Sequence, residues 1–322
     1  MFALGLMGSP RKKGNTAYLL STVMEALAQK GARTQSIYVP GKDIKPCIGC
    51  THCEKHGYCV QKDDDMVGEM FGLLRQADII VAATPIYFYN ATAQLKLLID
   101  RTQTLWSRKY KLGLDDPRES SRTGLMLAVG ATRGKNLFEG MNLTAKYFFD
   151  AVRADFVGAL GYRRIEDPGD MARYEGLNAD VDAEVAKLDA LFARKKVLFL
   201  SREGAFRGPM AAAFAMRLAS DRLEVKSAGI TASATMDSLV PPLMAEKGLD
   251  MAFQAPRPLE SVLAEIHPDV IVAVDGAVPV PNVAGAEIYH WDMPPATEKT
   301  LEAGRAIRND VEARVHDLTD KI

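Results

Sequence analysis

Residues 2–16 read Phe-Ala-Leu-Gly-Leu-Met-Gly-Ser-Pro-Arg-Lys-Lys-Gly-Asn-Thr. Phe2–Met7 is an apolar run closed by Gly8-Ser9-Pro10, the pattern of a strand buried on both faces. Asn15 is suited to cap a helix, and Leu20, Val23, Met24 and Leu27 then repeat on one helical face. A buried strand, a short polar loop and a helix in that order open a parallel α/β sheet. The alternation continues outward. Strands are predicted at Thr34–Val39, Asp78–Thr84, Leu125–Val129 and Phe156–Leu160, and helices at Asp64–Arg75, from about Ala91, at Phe138–Val152 and at Asp180–Ala193. Five strands alternating with helices describe one doubly wound parallel sheet.

The pattern then restarts. Val197–Leu200 reads as a new buried strand, Ser201–Arg207 as a loop, and a helix follows from Pro209. Further strands are predicted at Glu224–Ser227 and Val270–Val274, and Ile307, Val311, Val315 and Leu318 share one face of a last helix. The expected organisation is therefore two α/β domains, residues 1–194 and a smaller one at 195–322. A length of 322 residues agrees with that, since domains commonly run about 100–200 residues. Lys plus Arg number 40 and Asp plus Glu 41, a net charge of −1, which gives no global attraction to nucleic acid or to an anionic membrane. No apolar run approaches the roughly 18 residues of a membrane span. The N-terminus lacks a basic flank and reads as a strand, not a secretory signal. The expected location is cytoplasmic, with no nucleic-acid or membrane partner.

The loop after the first strand lies at the carboxyl ends of the strands, where ligands bind in such sheets. Gly14 permits close backbone approach, Ser9, Asn15 and Thr16 are neutral donors, Arg11 is a cation, and the helix N-terminus favours an anion. A phosphate fits, and a solvated basic turn is the plain alternative. The loop matches neither G-x-G-x-x-G nor a Walker sequence. After the third strand, Thr84-Pro85-Ile86-Tyr87-Phe88-Tyr89-Asn90 brings aromatic rings beside a proline, a wall for a flat ring system or a packing cluster. Together with Lys62-Asp63-Asp64-x-Met66, Lys96 and Asp100-Arg101, these motifs resemble the NAD(P)H-dependent FMN reductases of flavodoxin-like fold, over roughly residues 1–190. The resemblance implies FMN. Its phosphate would lie at Ser9, Arg11, Gly14, Asn15 and Thr16, and its ring against Pro85, Ile86, Tyr87 and Phe88. The loop at Gly130, Ala131 and Thr132 would close the other side. Hydride chemistry would belong to the flavin, so no catalytic acid or base is assigned. Lys96, Asp100 and Arg101 would support the helix and a dimer more than the flavin.

All four cysteines, Cys47, Cys50, Cys53 and Cys59, fall within 13 residues. This excludes a disulfide framework distributed over the fold. The spacing C-x2-C-x2-C-x5-C approaches ferredoxin-type ligation of a 4Fe–4S cluster. Structural zinc prefers two C-x2-C pairs farther apart, although His52 and His56 keep zinc open, as do free thiols. Within the reductase group this motif resembles the iron–sulfur flavoproteins. That resemblance implies electron transfer between cluster and FMN in a homodimer or homotetramer. A redox partner such as ferredoxin, NAD(P)H or quinone would complete the reaction. An NAD(P)H:quinone or FMN reductase without a cluster, and a redox-sensing regulatory flavoprotein, are the alternatives.

The second domain resembles low-molecular-weight protein tyrosine phosphatases and the related arsenate reductases. The resemblance rests on Val197–Ala211, Lys226-Ser227-Ala228-Gly229, Pro268–Val272 and His290-Trp291-Asp292-Met293-Pro294. The family pattern is C-x5-R-S-P-M-A. Here Ser201 stands at the cysteine, Gly208 at the serine, and Pro295 where the acid aspartate belongs, with Asp292 at the wrong offset. A serine hydroxyl does not ionise as a thiolate does, so a catalytically inactive domain is expected. Ser201 and Arg207 remain as an anion loop, weakened by Glu203.

Overall fold

The computed structural model describes residues 1–276, 278–293 and 300–322. The chain packs as two units, residues 1–113 with 121–192, and residues 114–120 with 193–322.

In the first unit, β1 (Phe2–Met7), β2 (Arg33–Tyr38), β3 (Ile79–Pro85), β4 (Thr123–Gly130) and β5 (Asp155–Arg163) form one parallel sheet in the order β2-β1-β3-β4-β5. Such an order reverses direction between β1 and β3, which opens a crevice at the carboxyl ends of those strands. Helices α1 (Asn15–Gln29), α2 (His52–His56), α3 (Phe71–Gln76), α4 (Ala93–Arg101), α5 (Gln103–Tyr110), α6 (Glu139–Ala151), α7 (Leu177–Ala186) and α8 (Asp189–Phe192) belong to this unit. One core layer joins Leu19, Val23 and Leu27 of α1 to Val181 and Val185 of α7, over Ala3, Val81 and Leu127 of the sheet.

Three local departures from the sequence reading have physical causes. Asn15 does not cap α1: Gly14 is the N-cap, and the Asn15 amide instead donates to the Asp167 carbonyl at 2.9 Å and accepts from Met171 N–H at 3.2 Å. The helix expected over Asp64–Arg75 is a π-helical turn at Met66–Met70 running into α3; Gly68, which has weak helix propensity, sits in the wider turn. The helix expected over Asp180–Ala193 breaks into α7 and α8 through i→i−3 bonds at Leu188 and Leu191. The helix α5 shows no apolar periodicity because three of its four buried residues are polar, Thr104, Ser107 and Arg108 beside Leu105.

In the second unit, β6 (Lys195–Ser201), β7 (Leu223–Gly229), β8 (Val270–Ala273) and β9 (Glu287–His290) form a parallel sheet in the order β7-β6-β8-β9. Helices α9 (Arg207–Ala219), α10 (Val240–Ala245), α11 (Leu259–Leu263) and α12 (Leu301–Thr319) accompany it. The core unites the alanine-rich α9 with Val311, Val315 and Leu318 of α12 and with Trp291. Residues 114–120 belong to this unit: Asp115 N–H donates to the Gly248 carbonyl at 2.7 Å, and Asp250 N–H to the Asp115 carbonyl at 2.8 Å. Among the described residues, no helix is long and apolar enough to cross a membrane.

Candidate functional site

The crevice of the first unit is built by ties between strand ends. Gly8 N–H donates to the Ala83 carbonyl at 2.7 Å and Ile86 N–H to that of Val129 at 2.8 Å. Thr92, the N-cap of α4, is fully buried, accepts from Leu95 N–H at 3.3 Å and donates to the Gly8 carbonyl at 2.6 Å. These bonds hold the loops after β1 and β3 side by side around a cleft of about 290 Å³. The structure brings Ser9, Arg11, Gly14, Asn15, Thr16, Pro85, Ile86, Tyr87 and Ala131 together in its lining, and adds Lys13, Val129, Ile165, Glu166 and Pro168. Phe88, Gly130 and Thr132 are not among the lining residues. The contribution of Ile165–Pro168 was missed, and its only signal was the turn sequence Asp-Pro-Gly after the last strand of the sheet.

The chemistry of this lining is uneven. The open N-terminus of α1 with Arg11 and Lys13 offers positive potential and N–H donors to a phosphate. Ser9 Oγ accepts from Arg11 N–H at 3.2 Å, which folds the loop back on itself. The Asn15 side chain, engaged by residues 167 and 171, ties the loop after β5 to the cradle. Beyond Tyr87 the chain reverses in two residues. Phe88 and Tyr89 both lie in the left-handed region, at φ 48° and 64°, and Tyr87 and Asn90 exchange both backbone bonds, at 2.9 and 3.0 Å. A left-handed residue other than glycine costs roughly 1–2 kcal/mol. Gly140 lies so close beneath the turn that a Cβ there would meet the Tyr89 carbonyl at 2.6 Å. The turn presents the Phe88 ring wholly to solvent.

All four cysteines line a second hollow, of about 390 Å³, shared with Gln61, Arg101, Gln103 and Thr104. Cys47 and Cys50 are exposed, and Cys53 and Cys59 half-buried. Arg101, at the end of α4 and 1% exposed, closes the neck of this loop. It forms a buried ion pair with Asp64 and donates to the Lys45 carbonyl at 2.9 Å and the Gln61 carbonyl at 3.2 Å, one on each side of the cysteines. Gln61 Nε2 adds a bond to the Pro46 carbonyl at 2.9 Å. Farther round, Arg108 donates to the Gly57 carbonyl at 2.9 Å and faces the Tyr58 ring at 5.1 Å. Gly57 is left-handed at φ 72°, a conformation that favours glycine, and a Cβ there would stand 2.3 Å from Arg108 Nη1. The His52 and His56 rings lie 4.3 Å apart, tilted by 32°. The thiols share one hollow and one donor chemistry, but among the described residues no three His, Cys, Asp or Glu side chains form a group that could hold a metal ion.

Burial alone raises the Asp64 carboxyl pKa, but the Arg101 hydrogen bond and the Lys45 and Val67 N–H groups outweigh it and hold it below the usual carboxylate range. Its folded-state value is thus below its unfolded one, so its stabilisation is complete above about pH 4 and is lost as pH falls further. Protection of the amides of residues 45–61, measured against their intrinsic exchange rates, is expected to fall on acidification below that value. Protection factors that stay constant down to about pH 3 would contradict this anchoring.

In the second unit, Ser201 ends β6 and Arg207 opens α9 around a hollow of about 470 Å³. Ser201 Oγ accepts from Gly204 N–H at 3.0 Å. Gly204 is left-handed at φ 66° and lies against Gly229, where a Cβ would meet backbone nitrogen at 2.8 Å. Asp275, absent from the sequence-based site, is the decisive neighbour. Its carboxylate binds Arg207 Nη1 at 2.9 Å and accepts Arg202 N–H at 2.9 Å. An oxyanion entering this loop therefore competes with an internal carboxylate. The Asp-Gly pair following a buried strand was the signal available. Asp292 lies near Gly276, with Oδ1 3.5 Å from where a Cβ would stand. The general-acid position, Pro295, and its neighbours Pro294 and Ala296 lie outside the described residues.

Comparison with known proteins matches two separate stretches of the chain. Residues 1–137 match the family described as NADPH-dependent FMN reductase. Residues 196–280 match the family described as low molecular weight phosphotyrosine protein phosphatase. An iron-sulfur flavoprotein of Methanocaldococcus jannaschii is 38% identical over 133 residues, 41% of this chain and 64% of that protein. One from Archaeoglobus fulgidus is 39% identical over 101 residues, 31% of this chain and 45% of that protein. The matched part thus spans less than two thirds of these relatives. A glutaredoxin arsenate reductase of Synechocystis sp. is 30% identical over 132 residues, 40% of this chain and 98% of that protein. A solved arsenate reductase in the reduced state is 30% identical, with a TM-score of 0.36, covering 40% of this chain and 98% of its own.

Proposed function

Since this chain belongs in its first domain to the NADPH-dependent FMN reductase family and in its second to the low molecular weight phosphotyrosine protein phosphatase family, we propose an FMN-dependent oxidoreductase that passes electrons between a 4Fe–4S cluster and FMN. The observation that carries the reading is the pairing, within one domain, of a phosphate-type cleft at the sheet's carboxyl edge with a hollow lined by four thiols. Ser9, Arg11, Gly14 and Thr16 would hold the FMN phosphate, and Asn15 fixes the loop that frames it. Pro85, Ile86 and Tyr87 would flank the ring, with Phe88 at the rim and Gly130, Ala131 and Thr132 opposite. Cys47, Cys50, Cys53 and Cys59 would ligate the cluster. FMN supplies one- and two-electron steps when bound, and the cluster supplies one-electron steps. The chain's own part is to seat both groups, through the α1 N-terminus on one side and the Arg101 neck on the other.

The second domain is read as catalytically silent. Ser201 offers no thiolate, and Arg207 is engaged by Asp275. Hydrolysis of p-nitrophenyl phosphate that is lost on Arg207→Ala would overturn this. NAD(P)H, a ferredoxin or a quinone is the proposed redox partner, in a cytoplasmic homodimer or homotetramer. The spread of the thiols favours a second reading, an NAD(P)H:quinone or FMN reductase without a cluster. Anaerobic purification followed by flavin, iron and sulfide assays separates the two. Flavin, iron and sulfide together support the first. Yellow, iron-free protein supports the second, and colourless protein refutes both.

A further inference from the structure

We propose that Ser107 is a positioning residue for Cys53 that sets the reduction equilibrium of the cluster through a hydrogen bond from its hydroxyl to the sulfur. The inference rests on the cluster reading above. Ser107 is fully buried on α5, and its Oγ lies 3.4 Å from Cys53 Sγ. A buried serine in a helix ordinarily returns its hydroxyl to the carbonyl four residues back. Here that carbonyl, Gln103, faces the Cys53 sulfur instead, at 4.0 Å, and the hydroxyl turns to the same sulfur.

The neighbouring residue grips the backbone of the same loop. Arg108 holds the Gly57 carbonyl, and Gly57 N–H caps α2 on the Cys53 carbonyl at 2.8 Å. Two consecutive residues of α5 therefore fix Cys53, one through its sulfur and one through its helix cap. Two of the buried polar residues of α5, Ser107 and Arg108, thus serve the cysteine loop. Cys47 and Cys50 are exposed, whereas the donor at Cys53 is a buried hydroxyl of the fold.

A hydrogen bond to a ligand sulfur stabilises negative charge there. One-electron reduction adds negative charge that the ligand sulfurs share, so the donor favours the reduced state. Ser107→Ala is expected to shift the equilibrium about three- to tenfold toward the oxidised state, where tenfold is 59 mV for one electron. Ser107→Thr retains the hydroxyl and is expected to keep the wild-type midpoint. Ser107→Cys fills the space with a weaker donor and is expected to fall between, which also covers the case of an alanine variant that folds poorly.

The test is a dithionite titration followed by electron paramagnetic resonance on full-length protein purified anaerobically, with iron and sulfide assayed in each variant. A lowered midpoint at wild-type iron content supports the assignment, whereas loss of iron from both Ser107→Ala and Ser107→Cys would overturn it in favour of a purely structural role. Wild-type iron content with an unchanged midpoint in Ser107→Ala overturns the role of Ser107 and leaves the cluster reading intact. Wild-type protein without iron overturns both.

Discussion

Replacing Arg101 by methionine is expected to lower the stability of the first domain by about 3–5 kcal/mol, the effect of stranding one member of a buried ion pair. Asp64 and Arg101 have side chains 0% and 1% exposed, so the carboxylate left behind has no solvent to turn to. The variant also loses the donors to the Lys45 and Gln61 carbonyls. For a domain of this size the melting temperature is expected to fall by about 10 °C, and calorimetry reads it directly. A melt within about 2 °C of wild type would mean that the pair is not the neck of the loop. Arg101→Lys is expected to recover only part of the loss, because an ammonium cannot reproduce the fork that reaches a carboxylate and two carbonyls at once.

Cys50→Ser is expected to remove the iron and sulfide, by about tenfold or more, while FMN remains bound. Cys50 is exposed on the loop, so its replacement is expected to act on ligation and to leave folding alone. A serine oxygen is a harder donor than the thiolate that iron–sulfur centres take. The brown absorbance shoulder and the resonance signal of the reduced protein are expected to vanish with the metal, leaving the flavin spectrum. Full iron content in Cys50→Ser would remove Cys50 from the ligand set.

The parts of the fold that were legible in the sequence are those whose burial is apolar. Phe2–Met7 and Val197–Leu200 are buried on both faces and announce themselves as unbroken runs. The ligand edge followed from the order of strands and loops. What stayed hidden was polar burial. The helix α5 turns Thr104, Ser107 and Arg108 inward, which no hydrophobic period registers. The strand β9 is largely exposed, and its residues carry no apolar alternation. In the candidate sites, the residues that were singled out are the ones at chemically special positions. Their tethers were not: Asn15 looked like a cap and is a bolt to residues 167 and 171, and Asp275 is separated by 68 positions from the arginine it engages. Pairings across such distances leave no local pattern in the chain.

Residues 114–120 carry one more consequence. They lie in sequence between α5 and β4, yet pack with residues 193–322, bonding residues 248 and 250 on either side of Leu249. The second unit is therefore discontinuous along the chain. A single cut near residue 194 cannot release it whole, because seven of its residues would depart with the other fragment. A gene fusion of two independently stable modules would need no such loan. Here the phosphatase-like unit is finished by a loop encoded between two elements of the first unit, so a fragment meant to carry the whole second unit has to include that loop.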